Sequence, residues 1–223
     1  MKPRLLDLFC GAGGAGEGYA RAGFDVTGVD HRSMPRNPHR FIQADALEYV
    51  AAHGHEYDVI HASPPCQAYS SLKSWNPQRA GTHPELIGPT RDLLAASGLP
   101  YVIENVVGAP LRDPIRLCGV SFGLRVIRHR LFESNVPLLG IPCNHRDTPS
   151  ACDLVGVYGD HPENAMVGTG TRIRRARTLA DGQDAMGIDW MDWKTLTQAI
   201  PPAYTEFIGH QLISALQRNE EAA

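Results

Sequence analysis

Cys66 stands in the run Ser63-Pro64-Pro65-Cys66-Gln67, directly after the apolar segment Tyr57-Asp58-Val59-Ile60-His61-Ala62. A thiol on a rigid proline turn at the end of a buried strand is held in one place at the mouth of a sheet. A second apolar segment, Tyr101-Val102-Ile103, runs into Glu104-Asn105-Val106 and brings a carboxyl group to the same edge. A nucleophile and an acid on separate strand ends make a site that adds sulfur to an electron-poor ring and protonates it.

Such a site needs a co-reactant, and the N-terminal segment carries the signal for one. Leu5-Leu6-Asp7-Leu8-Phe9 reads as a short strand and is followed at once by Cys10-Gly11-Ala12-Gly13-Gly14-Ala15-Gly16, with a helix starting over residues 17–22. Glycines there let the backbone approach a ligand closely and adopt dihedrals that other residues avoid. A second strand, Asp25-Val26-Thr27-Gly28-Val29, ends in Asp30, an acid placed to bind ribose hydroxyls. A third, Arg40-Phe41-Ile42-Gln43-Ala44, ends in Asp45, an acceptor for an adenine amine. Helices are expected over Ala46–His53 and residues 89–97. This alternation predicts a parallel sheet covered on both faces. The polar, turn-rich stretch 68–88 is long for a compact domain and, just after the thiol, reads as a functional or mobile loop.

Together these residues resemble the DNA (cytosine-5) methyltransferase family, in a compact form. Asp7-Leu8-Phe9-Cys10-Gly11-Ala12-Gly13-Gly14 is similar to its S-adenosylmethionine loop, Pro65-Cys66-Gln67 to its nucleophile motif and Glu104-Asn105-Val106 to its base-recognition motif. Thr90-Arg91-Asp92-Leu93-Leu94 resembles the segment that packs against the cofactor, and Arg128-His129-Arg130-Leu131-Phe132 the paired-arginine motif. Ala199-Ile200-Pro201-Pro202, leading into a helix over residues 203–217, is similar to the C-terminal cofactor motif. Two positions depart from the family pattern. Val126 stands where a glutamine usually precedes the first arginine, and Thr197-Gln198 where the last motif usually has Gly-Asn.

The resemblance implies an α/β fold, a Rossmann-like S-adenosylmethionine-dependent methyltransferase sheet with a small, reduced inserted lobe. Residues 1–132 and 186–223 would form the catalytic domain and 133–185 a reduced target-recognition lobe. It implies methyl transfer to C5 of cytosine in DNA through a covalent adduct between cysteine and C6. RNA methylation, or a nucleic-acid-binding module with weak turnover, are the alternatives. Cys66, Glu104, Arg128 and Arg130 would be catalytic, with Arg130 holding the base carbonyl O2 and Arg128 supporting Cys66 or a phosphate. Asp7, Phe9, Gly11, Ala12, Gly13, Gly14, Asp30, His31, Asp45, Ala46, Pro65, Leu93, Gln198 and Ala199 would hold the cofactor. The target atoms are stacked inside a duplex, so the nucleotide must be extruded.

Composition bounds the rest. The chain has 223 residues, 43% hydrophobic and 20% charged, ordinary for one soluble globular domain or one with a small lobe. The formal charge of −3 excludes a generally basic nucleic-acid coat, so a DNA footprint must be local. The best basic cluster is Arg172-Ile173-Arg174-Arg175-Ala176-Arg177, inside the inserted stretch. Arg172, Arg174, Arg175 and Arg177, with Ser70 and Lys73 in the long loop, are the candidate DNA contacts, and recognition should be loose or very short. No apolar stretch is long enough to span a membrane, no secretory signal precedes the first strand, and five cysteines without paired spacing suggest reduced thiols. A cytoplasmic monomer is expected. Cys143, His145 and Cys152 lack a Cys-x-x-Cys pair, His161 is no more than a guess at a fourth ligand, and no metal is expected. Trp190 and Trp193, three apart, would share a helix face and pack on the sheet.

Overall fold

The computed structural model describes residues 1–66, 85–143, 154–164 and 173–222. Gln67, Ser70, Lys73, His145, Cys152 and Arg172, all named above, lie outside the described residues, as does most of the loop after Cys66.

Five parallel strands form the centre: β1 (Arg4–Leu8), β2 (Asp25–Asp30), β3 (Arg40–Gln43), β4 (Val59–Ala62) and β5 (Tyr101–Asn105). Two antiparallel strands, β6 (Ile115–Leu117) and β7 (Arg130–Ser134), complete a seven-stranded sheet of order β3-β2-β1-β4-β5-β7-β6. The order reverses between β1 and β4, and ligands of open α/β sheets bind at the carboxyl ends of strands flanking such a point. The glycine loop, Asp30 and Cys66 all stand at that edge.

Strand residues alternate between two cores, as the pleat requires. Leu5, Val59 and Val102 face α1 (Gly14–Ala22) and the helix over Pro202–Ala222, whereas Leu6, Leu8, Ile60 and Ile103 face α2 (Ala46–His53) and α3 (Ile87–Ser97). By the same alternation Asp7, His61 and Glu104 share the side of Leu5, Val59 and Val102. All three are buried; Asp7 pairs with His61, and Glu104 lies two residues beyond Val102, the partner of His61 on β5.

A small lobe packs on the carboxyl edge. It contains the two-stranded β8 (Val155–Gly156) and β9 (Arg174–Arg175), with α4 (Leu179–Met186) and α5 (Trp193–Leu196). Its core joins Val155, Val157, Ala176, Met186, Ile188, Met191, Trp193 and Leu196 to Ala12 and Val126 of the larger body. The packing therefore runs past the expected boundary at 186, and β7 continues beyond residue 132 into Ser134.

The final helix, α6 (Pro202–Ala222), returns to lie against α1. A Cβ on Gly18 would come 2.1 Å from Pro202 O and Thr205 Oγ1, so glycine permits the close crossing. Thr205 Oγ1 donates to Ala15 O at 2.8 Å across it.

Several expectations shift. α1 begins at Gly14 rather than 17, because Gly13 supplies a left-handed cap at φ 81°. β5 continues through Asn105, so Glu104 lies inside the strand opposite Phe132. The two antiparallel strands were not anticipated. The tryptophans do not share a helix face. Trp190 precedes α5 and donates its indole N–H to Ala12 O at 2.8 Å, while Trp193 opens α5, packs in the lobe core and donates to Gly159 O.

Candidate active site

β4 and β5 deliver the two reactive groups. Ala62 pairs with Ile103, so Ser63 and Glu104 come level one residue further on. Asn105, fully buried, donates from Nδ2 to Pro64 O at 2.9 Å and fastens the Pro64-Pro65-Cys66 turn to the neighbouring strand. Cys66 is partly exposed at the end of this turn. Burial and the Glu104 charge push its thiol above the usual range, against the opposing pull of Arg130 and Arg128.

Glu104 is 6% exposed, and its Oε1 lies 3.1 Å from Arg130 Nε. Burial raises its carboxyl above the usual range even though Arg130, the Ser63 hydroxyl and Arg128 pull it down. A line of buried polar groups continues behind Ser63: His61 Nε2 lies 2.9 Å from Ser63 Oγ, and His61 Nδ1 lies 3.0 Å from Tyr19 Oη. Burial pushes the His61 imidazole down to about 3, so the ring is neutral and passes hydrogen bonds without charge.

The paired arginines differ in position. Arg130 faces Glu104, with Nη1 donating to its neighbour's His129 O at 2.9 Å. Arg128 is half-buried and donates to Val157 O at 3.3 Å and to Thr197 O, tying the lobe to the segment before the last helix. Burial and Arg130 lower it to about 9. Val126, two positions earlier, is 2% exposed and fills the lobe core where the family's glutamine would stand. A cavity of about 310 Å³ lies between the arginines and the lobe, lined by Arg128, Arg130, Val155, Val157, Tyr158 and Thr197.

The glycine loop shows the features of a close ligand approach. Phe9, Gly11 and Gly13 all have positive φ (57°, 50° and 81°), and a Cβ on Gly11 would meet nothing within 4 Å. A Cβ on Gly14 would lie 2.6 Å from Ile200 O, so the Ala199-Ile200-Pro201-Pro202 turn closes directly over the loop. Asp30, 4% exposed, accepts from Gly11 N at 3.1 Å and Arg32 N at 2.9 Å, with the exposed His31 ring 3.3 Å away. Asp7 is 1% exposed and neither oxygen makes a well-formed hydrogen bond, although the Gly16 amide is near; burial pushes it up to about 8. Asn37, unremarked in the sequence, braces the loop by donating to Gly11 O at 3.1 Å.

Other expected site residues have structural duties. Asp45 caps α2, its Oδ1 accepting from Leu47 N at 2.9 Å and Glu48 N at 3.0 Å, with Ala46 buried behind it. Leu93 packs into the α2–α3 core, and Gln198 is exposed. Arg91 beside it forms a buried bidentate pair with Glu133 at 2.6 and 2.8 Å, which fixes α3 to β7 and was not visible in the sequence. The basic cluster has partners within the lobe. Arg174 is held by both oxygens of Asp181, and Arg175 donates to Tyr158 O and Asp160 O, so both serve the lobe's own structure. Arg177 is exposed.

No family model matches the chain. A curated relative, the type II methyltransferase M.AgeI of Thalassovita gelatinovora, is 33% identical over 124 residues, covering 47% of this chain and 28% of its own length. The chain thus matches little more than a quarter of that relative. Among solved structures, S. pombe Dnmt2 methyltransferase aligns with a TM-score of 0.64 at 12% identity, over 97% of this chain and 99% of its own. The Entamoeba histolytica methyltransferase EhMeth gives 0.62 at 12% identity over 97% and 99%. A prophage-encoded E. coli protein described as a candidate DNA modification methyltransferase gives 0.61 at 17% over 97% and 100%. With the sheet order, these likenesses show the S-adenosylmethionine-dependent methyltransferase fold. They agree with the resemblance to cytosine-5 methyltransferase-like proteins carried by the motifs.

Proposed function

We propose that this protein transfers a methyl group from S-adenosylmethionine to C5 of cytosine in DNA through a covalent Cys66 adduct. The observation that carries this reading is the meeting of Cys66, Glu104 and Arg130 at the carboxyl ends of β4 and β5, close enough that each charge acts on the others. That edge adjoins a strained glycine loop.

The residues present fit the cofactor. Open space at Gly11, the Asp30 carboxylate and the poorly satisfied Asp7 carboxyl suit a ligand that brings hydroxyl donors and a positive charge. Phe9, Gly13, Gly14, His31, Pro65 and Ala199 would border it. When bound, the cofactor supplies an electrophilic methyl group. The chain's own groups prepare the ring. The Cys66 thiol loses its proton to water and the thiolate sulfur adds to C6, while the Glu104 carboxyl delivers its own proton to ring N3 and offsets the charge that develops there. C5 then carries enamine electron density and takes the methyl. Loss of the C5 proton to water and elimination across C5–C6 restore Cys66, and N3 returns its proton to Glu104. Arg130 holds Glu104 and the base carbonyl. Arg128 positions the lobe, and the extruded base would enter between Cys66, Glu104 and Arg130. Residues 133–185 supply the reduced target-recognition surface.

The test is trapping on DNA that contains 5-fluorocytosine, where the missing C5 proton blocks release. Wild type should form a denaturation-resistant adduct that needs S-adenosylmethionine, and Cys66→Ser should form none while still binding cofactor. Active wild-type enzyme without an adduct would overturn the cysteine mechanism. Parallel transfer of labelled methyl to duplex DNA, single-stranded DNA and RNA identifies the polymer, and labelling of RNA alone would overturn the DNA assignment.

A further inference from the structure

We propose that Cys118, His129 and Cys143 form a zinc site that braces the paired-arginine segment. The three ligand atoms lie within 4.8 Å of one another, and His129 Nε2 is 3.3 Å from Cys143 Sγ. Zinc at about 2.3 Å from sulfur and about 2.0–2.1 Å from nitrogen separates tetrahedral ligands by roughly 3.5–3.8 Å. The cluster therefore needs only small side-chain movements to close around an ion.

The donors choose the metal. Two thiolates with one imidazole suit zinc, while magnesium and calcium take oxygen ligands and iron–sulfur clusters are usually held by four thiolates. The sequence pointed elsewhere, to Cys143 with His145 and Cys152, because Cys118 and His129 are distant in the chain and meet only through the pairing of β6 with β7.

The three ligands come from three segments. Cys118 follows β6 and stands at the start of the short turn Gly119–Phe122, His129 precedes β7, and Cys143 lies on the segment that leaves β7. Cys118 is fully buried, so a ligand bond there would be shielded from water. The fourth position is left to solvent or another donor. His129 is flanked by Arg128 and Arg130, so an ion on its ring fixes the main chain between them and, through Arg130, the acid on β5. Metal occupancy does not depend on methyl transfer, so this site and the proposed reaction can fail separately.

The full chain, purified without a polyhistidine tag or chelator, should carry about one zinc per molecule by plasma emission spectrometry. Cys143→Ser and His129→Gln should lose it, and Cys66→Ser should keep it. Because Cys118 is buried and its variant risks misfolding, the partly exposed Cys143 carries the test. Refolding with Co(II) should produce a thiolate-to-cobalt charge-transfer band that is absent in Cys143→Ser. Folded wild type with neither zinc nor the cobalt band would overturn the site. So would zinc retained by both ligand variants.

Discussion

Burial raises both the Cys66 thiol and the Glu104 carboxyl, yet the proposed reaction needs the first ionised and the second protonated. The pH dependence follows from that conflict. Below the carboxyl's pKa, kcat/KM should rise about tenfold per pH unit as thiolate accumulates. Between the two pKa values each gain in thiolate is cancelled by a loss of acid, and the profile is flat. Above the thiol's pKa the activity falls. Glu104→Gln removes the acid's titration, so its residual rate should climb steadily through neutral pH; a plateau like that of wild type would show that Glu104 does not donate the proton. Asp30 and Asp45 should also separate. Asp45→Ala loses a helix cap and about 0.5–2 kcal/mol of stability, whereas Asp45→Asn keeps a good cap. Asp30→Ala should weaken S-adenosylmethionine by about 1–3 kcal/mol through unpaired hydroxyls. Calorimetric affinity with thermal unfolding of each variant checks both. Cys66 and Glu104 were readable because a proline turn and a strand end are local signals. His61 and Ser63 were not, since a histidine and a serine in a buried strand gain their roles only from register with Glu104 and the approach of Tyr19.

Among the elements, the antiparallel β6–β7 edge escaped the sequence. Arg130-Leu131-Phe132-Glu133-Ser134 mixes charges with apolar residues, and what makes it a strand is pairing to β5 and the buried Arg91–Glu133 contact. The five parallel strands were readable, because residues buried on both faces leave continuous apolar runs. The internal pairing of the basic cluster was hidden for the opposite reason. A run of arginines looks like a solvent-facing patch until Asp181 is seen to receive Arg174 with both oxygens, Arg125 at 3.3 Å and Arg177 N at 3.0 Å. The arginines should therefore behave differently. Arg177→Ala should weaken DNA binding about equally on all sequences and lower the salt slope by about one. Arg174→Ala should instead lower the unfolding temperature, at a cost of about 1–3 kcal/mol for the lost bidentate pair, with Arg125 and Arg177 N still holding Asp181. Binding titrations across salt and a melt of each variant distinguish them; equal salt slopes in both would return Arg174 to the DNA-facing set.

In the molecule as a whole, the fold class and the return of the last helix to the cofactor side were visible, because the glycine loop and the Ile200-Pro201-Pro202 turn are both distinctive. Their physical contact was not. Gly14 and Gly18 are glycines because Ile200 O and Pro202 O come too close for a side chain, a fact that exists only once α1 and α6 are docked. Gly18→Ala should cost about 1–3 kcal/mol in denaturant unfolding, as overpacking does, and loosen cofactor binding with it. No helix among the described residues is long and apolar enough to cross a membrane.

The bond from Thr205 to Ala15 spans 190 positions. At about 5–20 residues per second, synthesis would take about 10–40 s to bring the second partner into existence after the first. Throughout that interval the loop that should grip the cofactor lacks its lid, and the apolar side of α1 has no cover. A nascent chain arrested before residue 200 should therefore fail to retain S-adenosylmethionine and should engage holdase chaperones, while one arrested well beyond residue 222 should do neither. The docking of α6 on α1 thus sets when, as well as how, the glycine loop is closed.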